Sequence, residues 1–370
     1  MRDDGSLRVL YALRLRRGES AERKALGIAC EQTVELDLAL VPAVVRRRVA
    51  GRVEAVATSA RGAARAIVAY PAALALGDLP QLLNLLFGNV SMQSGVRIEG
   101  IDWPARLLAT FAGPRLGIGG LRALAGAPER PLTCAALKPL GLSPRALAEL
   151  AGKLARGGID FVKDDHSLAD QRWAPFDERL ARCQEAVARA NRTAGASAHY
   201  LPNLTGPAPT LLERAERARA AGCRAALVSP LLVGLDRVAE IAAATGLALF
   251  GHPSLTGGLL GRGHGLAPAL VWGDLFRIAG CDGTVYPNAG GRFSFAQRDC
   301  LEVARHLRQP LGRLRPAFPV LGGGIDAAKI RRWRRVYGDQ TVFLLGGSLL
   351  GQRDVERAAA ALRAVVEAGS

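Results

Sequence analysis

Apolar runs alternate with amphipathic segments from about residue 130 onward. The apolar runs are rich in Val, Leu and Ala, which is typical of strands buried on both faces of a parallel sheet. Between them, Leu and Ala recur at spacings of three and four residues, which predicts helices. Eight strands are predicted, at Leu132–Leu137, Ile159–Val162, Ser197–Leu201, Ala225–Ser229, Leu247–Gly251, Gly283–Tyr286, Phe318–Leu321 and Val342–Leu345. Eight strand–helix units of this size favour a (β/α)8 TIM barrel.

The first part of the chain has a different pattern. It predicts a strand, a helix, two strands and a helix, at Leu7–Leu15, Ala21–Cys30, Arg52–Ala57, Ala66–Ala69 and Leu79–Phe87. This order predicts a small α+β domain of the ferredoxin-like kind. A segment rich in Gly, Pro and Arg, Gly113–Pro131, leads into the barrel. We therefore expect an N-terminal α+β domain at residues 1–115 and a barrel with the active site at residues 116–370.

Ionisable residues collect where the predicted barrel strands end. Lys138 follows the first strand, and the second strand runs directly into Lys163, Asp164, Asp165 and His166. In a TIM barrel the active site lies at the C-terminal ends of the strands, so these groups share one mouth, where a divalent cation can hold them together. A solvated loop is the alternative interpretation. An open doubly wound sheet is the alternative fold, but the Gly-rich fingerprint of that fold is missing after the first strand.

Two Gly-rich turns follow the seventh and eighth predicted strands. They read Leu-Gly-Gly-Gly-Ile at 321–325 and Leu-Gly-Gly-Ser-Leu at 345–349. Barrels commonly bind phosphate with these two loops, through backbone N–H groups that glycine leaves accessible. Plain turn chemistry is the alternative for each loop alone, but two such loops at these places predict an anion site.

Composition limits the classes of partner. The formal net charge is +16, and the 49 basic residues are 44 arginines and five lysines, two of which close the first two strands. The arginine clusters lie on predicted helices without interleaved aromatic residues, so we expect no nucleic-acid partner, with an RNA-associated protein as the alternative. The apolar runs are too short to span a membrane. Six widely spaced cysteines without a Cys-x-x-Cys pair or a signal peptide predict a reduced, cytoplasmic protein.

Four motifs occur in order along the chain. They are Phe-Gly-Asn-Val at 87–90, Phe-Ala-Gly-Pro-Arg-Leu-Gly-Ile-Gly-Gly-Leu-Arg at 111–122, Leu-Lys-Pro-Leu-Gly-Leu-Ser at 137–143 and Gly-Gly-Ile-Asp-Phe-Val-Lys-Asp-Asp at 157–165. Together they resemble the RuBisCO large-chain superfamily, and the likeness runs over nearly the whole chain. The resemblance implies the same two-domain fold and a magnesium-dependent active site on the barrel.

The resemblance also implies roles for single residues. Lys163 matches the lysine that becomes carbamylated and binds Mg²⁺, and Asp165 matches a neighbouring metal ligand. Lys138 matches the base or proton shuttle in enolisation, and His252 matches a histidine of the same mouth. The remaining matches are four glycines of the phosphate grip and two residues that reach into the partner subunit's site: Gly322, Gly323, Gly346, Gly347, Glu31 and Asn89. The last two imply a homodimer with shared active sites.

Three departures separate this chain from a carboxylase. His166 stands where the family has its third metal ligand, a glutamate. Leu140 stands where the first-strand motif has a second lysine. The loop after the sixth strand, Pro-Asn-Ala-Gly-Gly-Arg-Phe at 287–293, lacks the lysine that orients CO₂, and Arg292 is the remaining positive charge there. The pattern is that of a form IV, RuBisCO-like protein that does not fix CO₂.

The expected chemistry is metal-assisted enolisation of a phosphorylated ketose or sugar acid. The sequence slightly favours an isomerase, or a decarboxylase or transcarboxylase/hydrolase of the 3-oxo-isoapionate 4-phosphate type, because Asn203, Thr205 and His252 suggest a small polar pocket. The alternatives are 5-methylthioribulose-1-phosphate isomerase and diketo-methylthiopentyl-1-phosphate enolase of methionine salvage. A degenerate, regulatory barrel without metal binding is the non-catalytic alternative, motivated by His166.

Overall fold

The structure, a computed structural model, describes residues 5–59, 62–291, 293 and 295–368. Within these residues the chain forms thirteen strands: β1 Ser6–Arg14, β2 Arg52–Ser59, β3 Ala63–Pro71, β4 Val96–Asp102, β5 Leu132–Leu137, β6 Phe161–Asp164, β7 His199–Leu201, β8 Ala225–Val228, β9 Ala248–Gly251, β10 Gly265–Leu266, β11 Cys281–Pro287, β12 Phe318–Gly322 and β13 Val342–Leu345.

The same residues form fifteen α-helices: α1 Ala21–Glu31, α2 Ala43–Val49, α3 Leu79–Phe87, α4 Ala105–Leu108, α5 Gly117–Leu124, α6 Pro144–Arg156, α7 Phe176–Ala194, α8 Leu211–Ala220, α9 Pro230–Val233, α10 Leu235–Thr245, α11 Phe276–Ile278, α12 Gln297–Arg308, α13 Ala327–Tyr337, α14 Gly347–Leu350 and α15 Val355–Glu367. A π-helix at Ala269–Leu275 precedes α11. Among the described residues, none of these helices is long and apolar enough to span a membrane.

The chain divides into two compact units. The first runs to Ala112 and includes Leu255–Val271 and Pro310–Leu314. The second consists of Gly113–Ser254, Trp272–Gln309 and the chain from Arg315 onward. The sequence predicted a single domain boundary, after residue 115. It did not predict that Leu255–Val271 and Pro310–Leu314 belong to the first unit. The boundary after residue 115 stays a prediction.

The first unit is built on a five-stranded sheet in the order β10-β4-β1-β3-β2. Strand β1 lies between β3 and β4 and pairs antiparallel with both. Its buried residues alternate with less buried ones, as expected for a sheet with one covered face. On the covered face, α1 and α3 contribute buried apolar residues, among them Ile28, Leu82 and Leu86.

The second unit is an eight-stranded parallel barrel in the order β7-β6-β5-β13-β12-β11-β9-β8. It closes between β7 and β8, where the Leu204 N–H donates to the Leu227 carbonyl and the Leu227 N–H to the Pro202 carbonyl, both at 2.9 Å. The barrel strands contribute one apolar core, in which Leu132 of β5, Phe161 of β6 and Phe318 of β12 pack with Ile118 and Leu121 of α5. This N-terminal end of the barrel is therefore packed, which leaves the C-terminal end for the site.

The predicted fold class is confirmed, a (β/α)8 barrel preceded by an α+β domain, and each of the eight predicted barrel strands forms. Several elements were missed, among them α4, β4, α5 and β10. Strand β4 was not predicted, although Val96 and Ile98 alternate with more exposed residues. Helix α5 lies in the segment that the sequence interpreted as a connector.

Candidate active site

The register of the barrel strands determines which side chains face its interior. Cys134 of β5, Phe161 of β6 and Phe250 of β9 all belong to the interior core. Because side chains alternate along a strand, the interior positions at the C-terminal ends are Lys138, Lys163, Asp165 and His252. The strands pair so that Ala136 lies beside Lys163. The sequence-predicted site residues of three strands are thus directed into one mouth.

These residues form a contiguous cluster. The Lys138 Nζ lies 3.0 Å from the Asp165 Oδ2, and the His166 Nδ1 lies 3.3 Å from the Asp165 Oδ1. The His166 and His252 rings are stacked, with centroids 4.1 Å apart and planes 8° from parallel. Beneath them Lys163 is 2 % exposed, and its Nζ donates to the Asp164 carbonyl at 2.7 Å. The structure therefore brings together the five predicted residues of the mouth.

Burial and neighbouring charges shift the pKa values of this cluster. Burial lowers the pKa of the Lys163 amine, since an ammonium is poorly solvated there. Burial, and after it the charge of the neighbouring Lys163, lowers the pKa of His252 to about 2, which keeps its imidazole neutral near pH 7. Burial alone raises the pKa of Asp165, but hydrogen bonding from His166 and the charges of Lys163 and Lys138 outweigh it and hold the pKa below its usual range.

Asp164 has a different role from its neighbour Asp165, because it faces away from the barrel interior. Its Oδ2 accepts from the Arg179 Nε at 3.0 Å and from the Asn203 N–H at 3.0 Å, while the Tyr200 hydroxyl donates to Oδ1 at 2.7 Å. Asp164 and Arg179 are both fully buried. Asp164 is a structural anchor that fixes the end of β6, and with it the direction of Lys163 and Asp165.

The small polar pocket predicted from Asn203 and Thr205 does not have the expected form. The Asn203 Nδ2 donates to the carbonyls of His166 and Leu168, both at 3.0 Å, and Asn203 is fully buried. The Thr205 Oγ1 accepts from the Ser229 N–H at 2.9 Å. Both side chains bond to backbone groups of the loops around the mouth. The Asn203 amide in this way fixes the position of the His166 backbone.

The two Gly-rich loops lie next to each other. The Ser348 hydroxyl donates to the Ile325 carbonyl and so ties the loop after β13 to the loop after β12. Side chains added at Gly346 or Gly347 would meet nothing within 4 Å, so both positions face open space. Gly323 has φ +110°, a conformation that L-residues rarely adopt. Gly322 accepts the Asn288 N–H at 2.9 Å. The predicted phosphate-binding glycines therefore lie in two connected loops, of which the loop after β13 faces open space.

One basic side chain of this region was not predicted from the sequence. Lys329, in the first turn of α13, donates its Nζ to the Gly324 carbonyl at 2.9 Å and to the Gly290 carbonyl at 3.5 Å. It spans the loops after β11 and β12. Its only sequence signal is the scarcity of lysine in this chain. Arg292, the charge that the sequence considered for the same loop, lies outside the described residues.

The two residues predicted to reach a partner subunit lie together in the first unit. Glu31 ends α1, and Asn89 follows α3. The Asn89 Nδ2 donates to the Glu31 Oε1 at 2.9 Å. The side-chain amide of the adjacent Gln32 donates from Nε2 to the carbonyls of Asn84 and Leu85, and its Oε1 accepts from the Val90 N–H. Hydrogen bonds within the first unit therefore set the orientation of the Glu31 and Asn89 side chains.

The donor set of the mouth decides whether it suits a divalent cation. Within the described residues, three or more His, Cys, Asp or Glu side chains do not meet anywhere in metal-binding geometry. The mouth offers two such donors, Asp165 and His166, beside the amine of Lys163. A carbamate on the Lys163 amine would supply the third, anionic oxygen donor. With that modification the residues fit a hard divalent cation.

Comparison with known proteins assigns this chain to a family. The family model for the ribulose bisphosphate carboxylase large chain, catalytic domain, matches residues 117–370. The chain belongs to the RuBisCO large-chain family. Within that family it is a RuBisCO-like protein of the form IV branch, as its motifs predicted.

Several relatives are similar over most of their length. The chain is 40% identical to a 5-methylthioribulose-1-phosphate isomerase of Rhodospirillum rubrum, over 95% of this chain and 94% of that protein. It is 33% identical to a 2,3-diketo-5-methylthiopentyl-1-phosphate enolase of Geobacillus kaustophilus, over 78% and 72%. The crystal structure of a RuBisCO-like protein from Rhodopseudomonas palustris superposes with a TM-score of 0.89 at 37% identity, over 98% of each chain.

Proposed function

We propose that this RuBisCO-like protein catalyses metal-assisted enolisation of a phosphorylated ketose and does not fix CO₂. The first substrate to test is 5-methylthioribulose 1-phosphate, with isomerisation as the reaction. The observation that carries the proposal is the cluster of Lys138, Lys163, Asp165, His166 and His252 in one barrel mouth. The 40% identical relative is named for this reaction, and the sequence considered it as an alternative within the same chemistry.

The metal is held by the second strand of the barrel in this proposal. Lys163, carbamylated by CO₂, Asp165 and His166 are the ligands, and Mg²⁺ is the ion. When bound there, the cation polarises the substrate carbonyl and stabilises negative charge on its oxygen. Asn203 and the Asp164–Arg179 pair keep the ligands in place, because they fix the backbone on both sides of Asp165.

Proton transfer is assigned to Lys138. Its Nζ is in the mouth beside Asp165, and the Lys138 side chain is 43 % exposed, so a substrate has access to it. In the proposed reaction its amine takes the proton from the carbon next to the carbonyl and returns it to the neighbouring carbon, which completes an isomerisation. The neutral His252, whose Nδ1 is 2.8 Å from the Ser254 Oγ, offers a hydrogen bond to the oxygen that becomes an alcohol or carbonyl.

The substrate phosphate is assigned to the Gly-rich loops after β12 and β13. Backbone N–H groups at Gly322, Gly323, Gly346 and Gly347 are the proposed donors. The open space beside Gly346 and Gly347 supports this assignment.

A homodimer with shared active sites, in the cytoplasm, completes the proposal. Glu31 and Asn89 are the residues that each subunit contributes to its partner's site, and their mutual hydrogen bond supports a common role. The six free thiols fit a reducing compartment.

Proton exchange in D₂O tests the function directly. The purified protein is incubated with 5-methylthioribulose 1-phosphate, Mg²⁺ and bicarbonate, and NMR follows deuterium uptake at the carbons next to the carbonyl, and product formation. We expect exchange that depends on both additives. Absence of exchange with this compound and with 2,3-diketo-5-methylthiopentyl 1-phosphate would contradict the proposal. Calorimetry with Mg²⁺, with and without bicarbonate, then identifies a degenerate barrel by its lack of binding.

A further inference from the structure

Lys329 occupies an unusual position for a surface lysine. It lies in the first turn of α13, yet its side chain folds back over the loop that precedes the helix. A Cβ added to Gly324 would lie 3.5 Å from the Lys329 Nζ, so the amine sits directly against the third glycine of the Leu-Gly-Gly-Gly-Ile loop. The same amine reaches the Gly290 carbonyl in the neighbouring loop.

The charge of Lys329 is not neutralised by an ion pair. Within the described part of the chain, its Nζ contacts two backbone carbonyls and no carboxylate. The nearest acidic group in sequence, Asp326, is the N-cap of α13, and its Oδ1 accepts the Lys329 backbone N–H at 2.8 Å. The ammonium therefore keeps an uncompensated charge and a third N–H donor beyond its two carbonyl contacts, beside Gly324 of the loop after β12.

The choice of lysine also points to a specific role. This chain uses arginine at 44 of its 49 basic positions. Lys138, Lys163 and Lys329 all lie at the C-terminal ends of barrel strands or in the first helical turn after one. A compact ammonium on a flexible stem can bond two carbonyls and still present a proton to an anion, whereas a planar guanidinium needs a wider opening.

We propose that Lys329 is a phosphate-binding residue that supplies the positive charge of the Gly-rich anion site. The ligand class is the phosphomonoester dianion of a sugar phosphate. Lys329 donates one hydrogen bond to a phosphate oxygen while its carbonyl contacts hold the loops after β11 and β12 together. This inference rests on the proposed function, because that function assigns the substrate phosphate to these loops.

Titration with inorganic phosphate tests the assignment without any substrate. The full-length protein is used in metal-free buffer, so that phosphate bound to a cation does not contribute, and ³¹P NMR gives the Kd. We expect Lys329→Met to weaken phosphate binding by roughly tenfold or more, since a charge-assisted hydrogen bond is lost. Lys329→Arg keeps the charge but not the compact ammonium, so it should weaken phosphate binding less than Lys329→Met does. Lys153→Met, which removes an exposed lysine of α6, is the matched control and should leave the Kd unchanged.

Kinetics provide the second measurement. In Lys329→Met, KM for the phosphorylated substrate should rise with kcat nearly unchanged, because the contact is the same in the ground and transition states. A purely structural tie between the loops would lower kcat and thermal stability together. If Lys329→Met fails to fold, Lys329→Gln, which can still donate to both carbonyls, takes its place with the same expected Kd.

Three results would overturn the assignment. They are an unchanged phosphate Kd in a folded Lys329→Met or Lys329→Gln protein, an equal loss in Lys153→Met, and loss of folding in both Lys329 variants. Wild-type protein that isomerises 5-methylthioribulose 1-phosphate but binds no phosphate would also remove the assignment while leaving the proposed function intact. Phosphate binding through Lys329 in a protein without isomerase or enolase activity would support the assignment and contradict the proposed function.

Discussion

The adjacent aspartates Asp164 and Asp165 have different roles: Asp164 stabilises the fold, and Asp165 belongs to the proposed reaction site. Asp164 is fully buried against Arg179 and Tyr200, whereas Asp165 faces the mouth beside Lys138. We expect Asp164→Asn to lower the free energy of unfolding by about 3 kcal/mol or more, because it leaves the Arg179 guanidinium buried without a counter-charge. Asp165→Asn should cost about 1 kcal/mol or less, since its partner Lys138 is partly exposed, but should abolish turnover. Urea denaturation and activity assays of both variants measure the contrast; equal stability losses would contradict it.

Lys138 carries the proposed proton transfer, and its removal should separate catalysis from binding. In Lys138→Met we expect deuterium exchange at the substrate carbon to fall by roughly a hundredfold or more, the usual contribution of a positioned acid–base group. Substrate affinity should persist, because the phosphate loops are untouched. NMR wash-in and a binding titration give the two numbers. Wild-type exchange in this variant would transfer the role to His252 or to a Lys163 carbamate.

His166 is expected to weaken Mg²⁺ binding relative to a glutamate at the same position. A neutral imidazole brings no negative charge and a softer donor atom. We therefore expect His166→Glu to tighten Mg²⁺ in calorimetry, with Asp165 and the hydrogen bond from Asn203 to residue 166 unchanged. The variant, like the wild type, should incorporate no ¹⁴CO₂ with ribulose bisphosphate, because the loop after β11 has no lysine. Measurable incorporation in either protein would refute this prediction.

The sequence was sufficient to identify the residues of the mouth but not all of their contacts. Lys138, Lys163 and His252 each lie at or just after the end of a predicted barrel strand, and that position is readable in the chain itself. Lys329 escaped prediction because the sequence does not show that its amine folds back onto the loop before α13 and reaches the neighbouring loop after β11. The sequence analysis assigned Asn203 to a substrate pocket. In a sequence, a polar residue after a strand gives the same signal whether its side chain contacts substrate or hydrogen-bonds to a loop backbone. Only the hydrogen bonds to His166 and Leu168 distinguish the two.

Whole elements were predicted best where burial is complete. The barrel strands are almost entirely buried, and β5 and β13 begin and end where the sequence placed them. Strand β4 escaped because Glu99 and Gly100 interrupt its alternation. Helix α5 has two internal glycines, which are unfavourable in isolated helices. It forms because Ile118 and Leu121 pack into the barrel core and because Asp282 accepts the N–H groups of Leu116 and Gly117, both at 2.6 Å. Such tertiary stabilisation has no local sequence signal.

The loop after β13 offers a clean test of the anion site at the level of an element. A valine at Gly323 would be strained by φ +110°, so Gly347→Ala is the better variant, since its Cβ meets nothing within 4 Å. We expect an unchanged or slightly higher melting temperature, because alanine restricts the unfolded chain. KM for the phosphorylated substrate should rise roughly tenfold as the methyl group enters the phosphate space. Gly119→Ala on α5, equally open, is the control, and equal KM values in the two variants would exclude phosphate at this loop.

At the scale of the whole molecule, the proposed dimer makes each active site depend on two chains. Glu31 and Asn89 are held by one hydrogen bond within the first unit, and Lys138 and Asp165 by an ion pair in the second. Glu31→Gln keeps an oxygen acceptor for the Asn89 amide, so its fold should be preserved while its charge is lost. We expect this variant to retain the wild-type melting temperature and to lose most of its turnover.

Mixing defective subunits then decides whether sites are shared. When Glu31→Gln and Lys138→Met proteins are dissociated together and allowed to reassociate, half of the dimers combine one of each, and each of these holds one intact site. Activity should therefore recover to about a quarter of the wild-type value. A mixture of Lys138→Met and Asp165→Asn, both defective in the barrel, should recover nothing, because neither barrel in the mixed dimer is intact. If the first mixture is as inactive as the second, Glu31 acts within its own chain, or the protein does not form a dimer with shared sites.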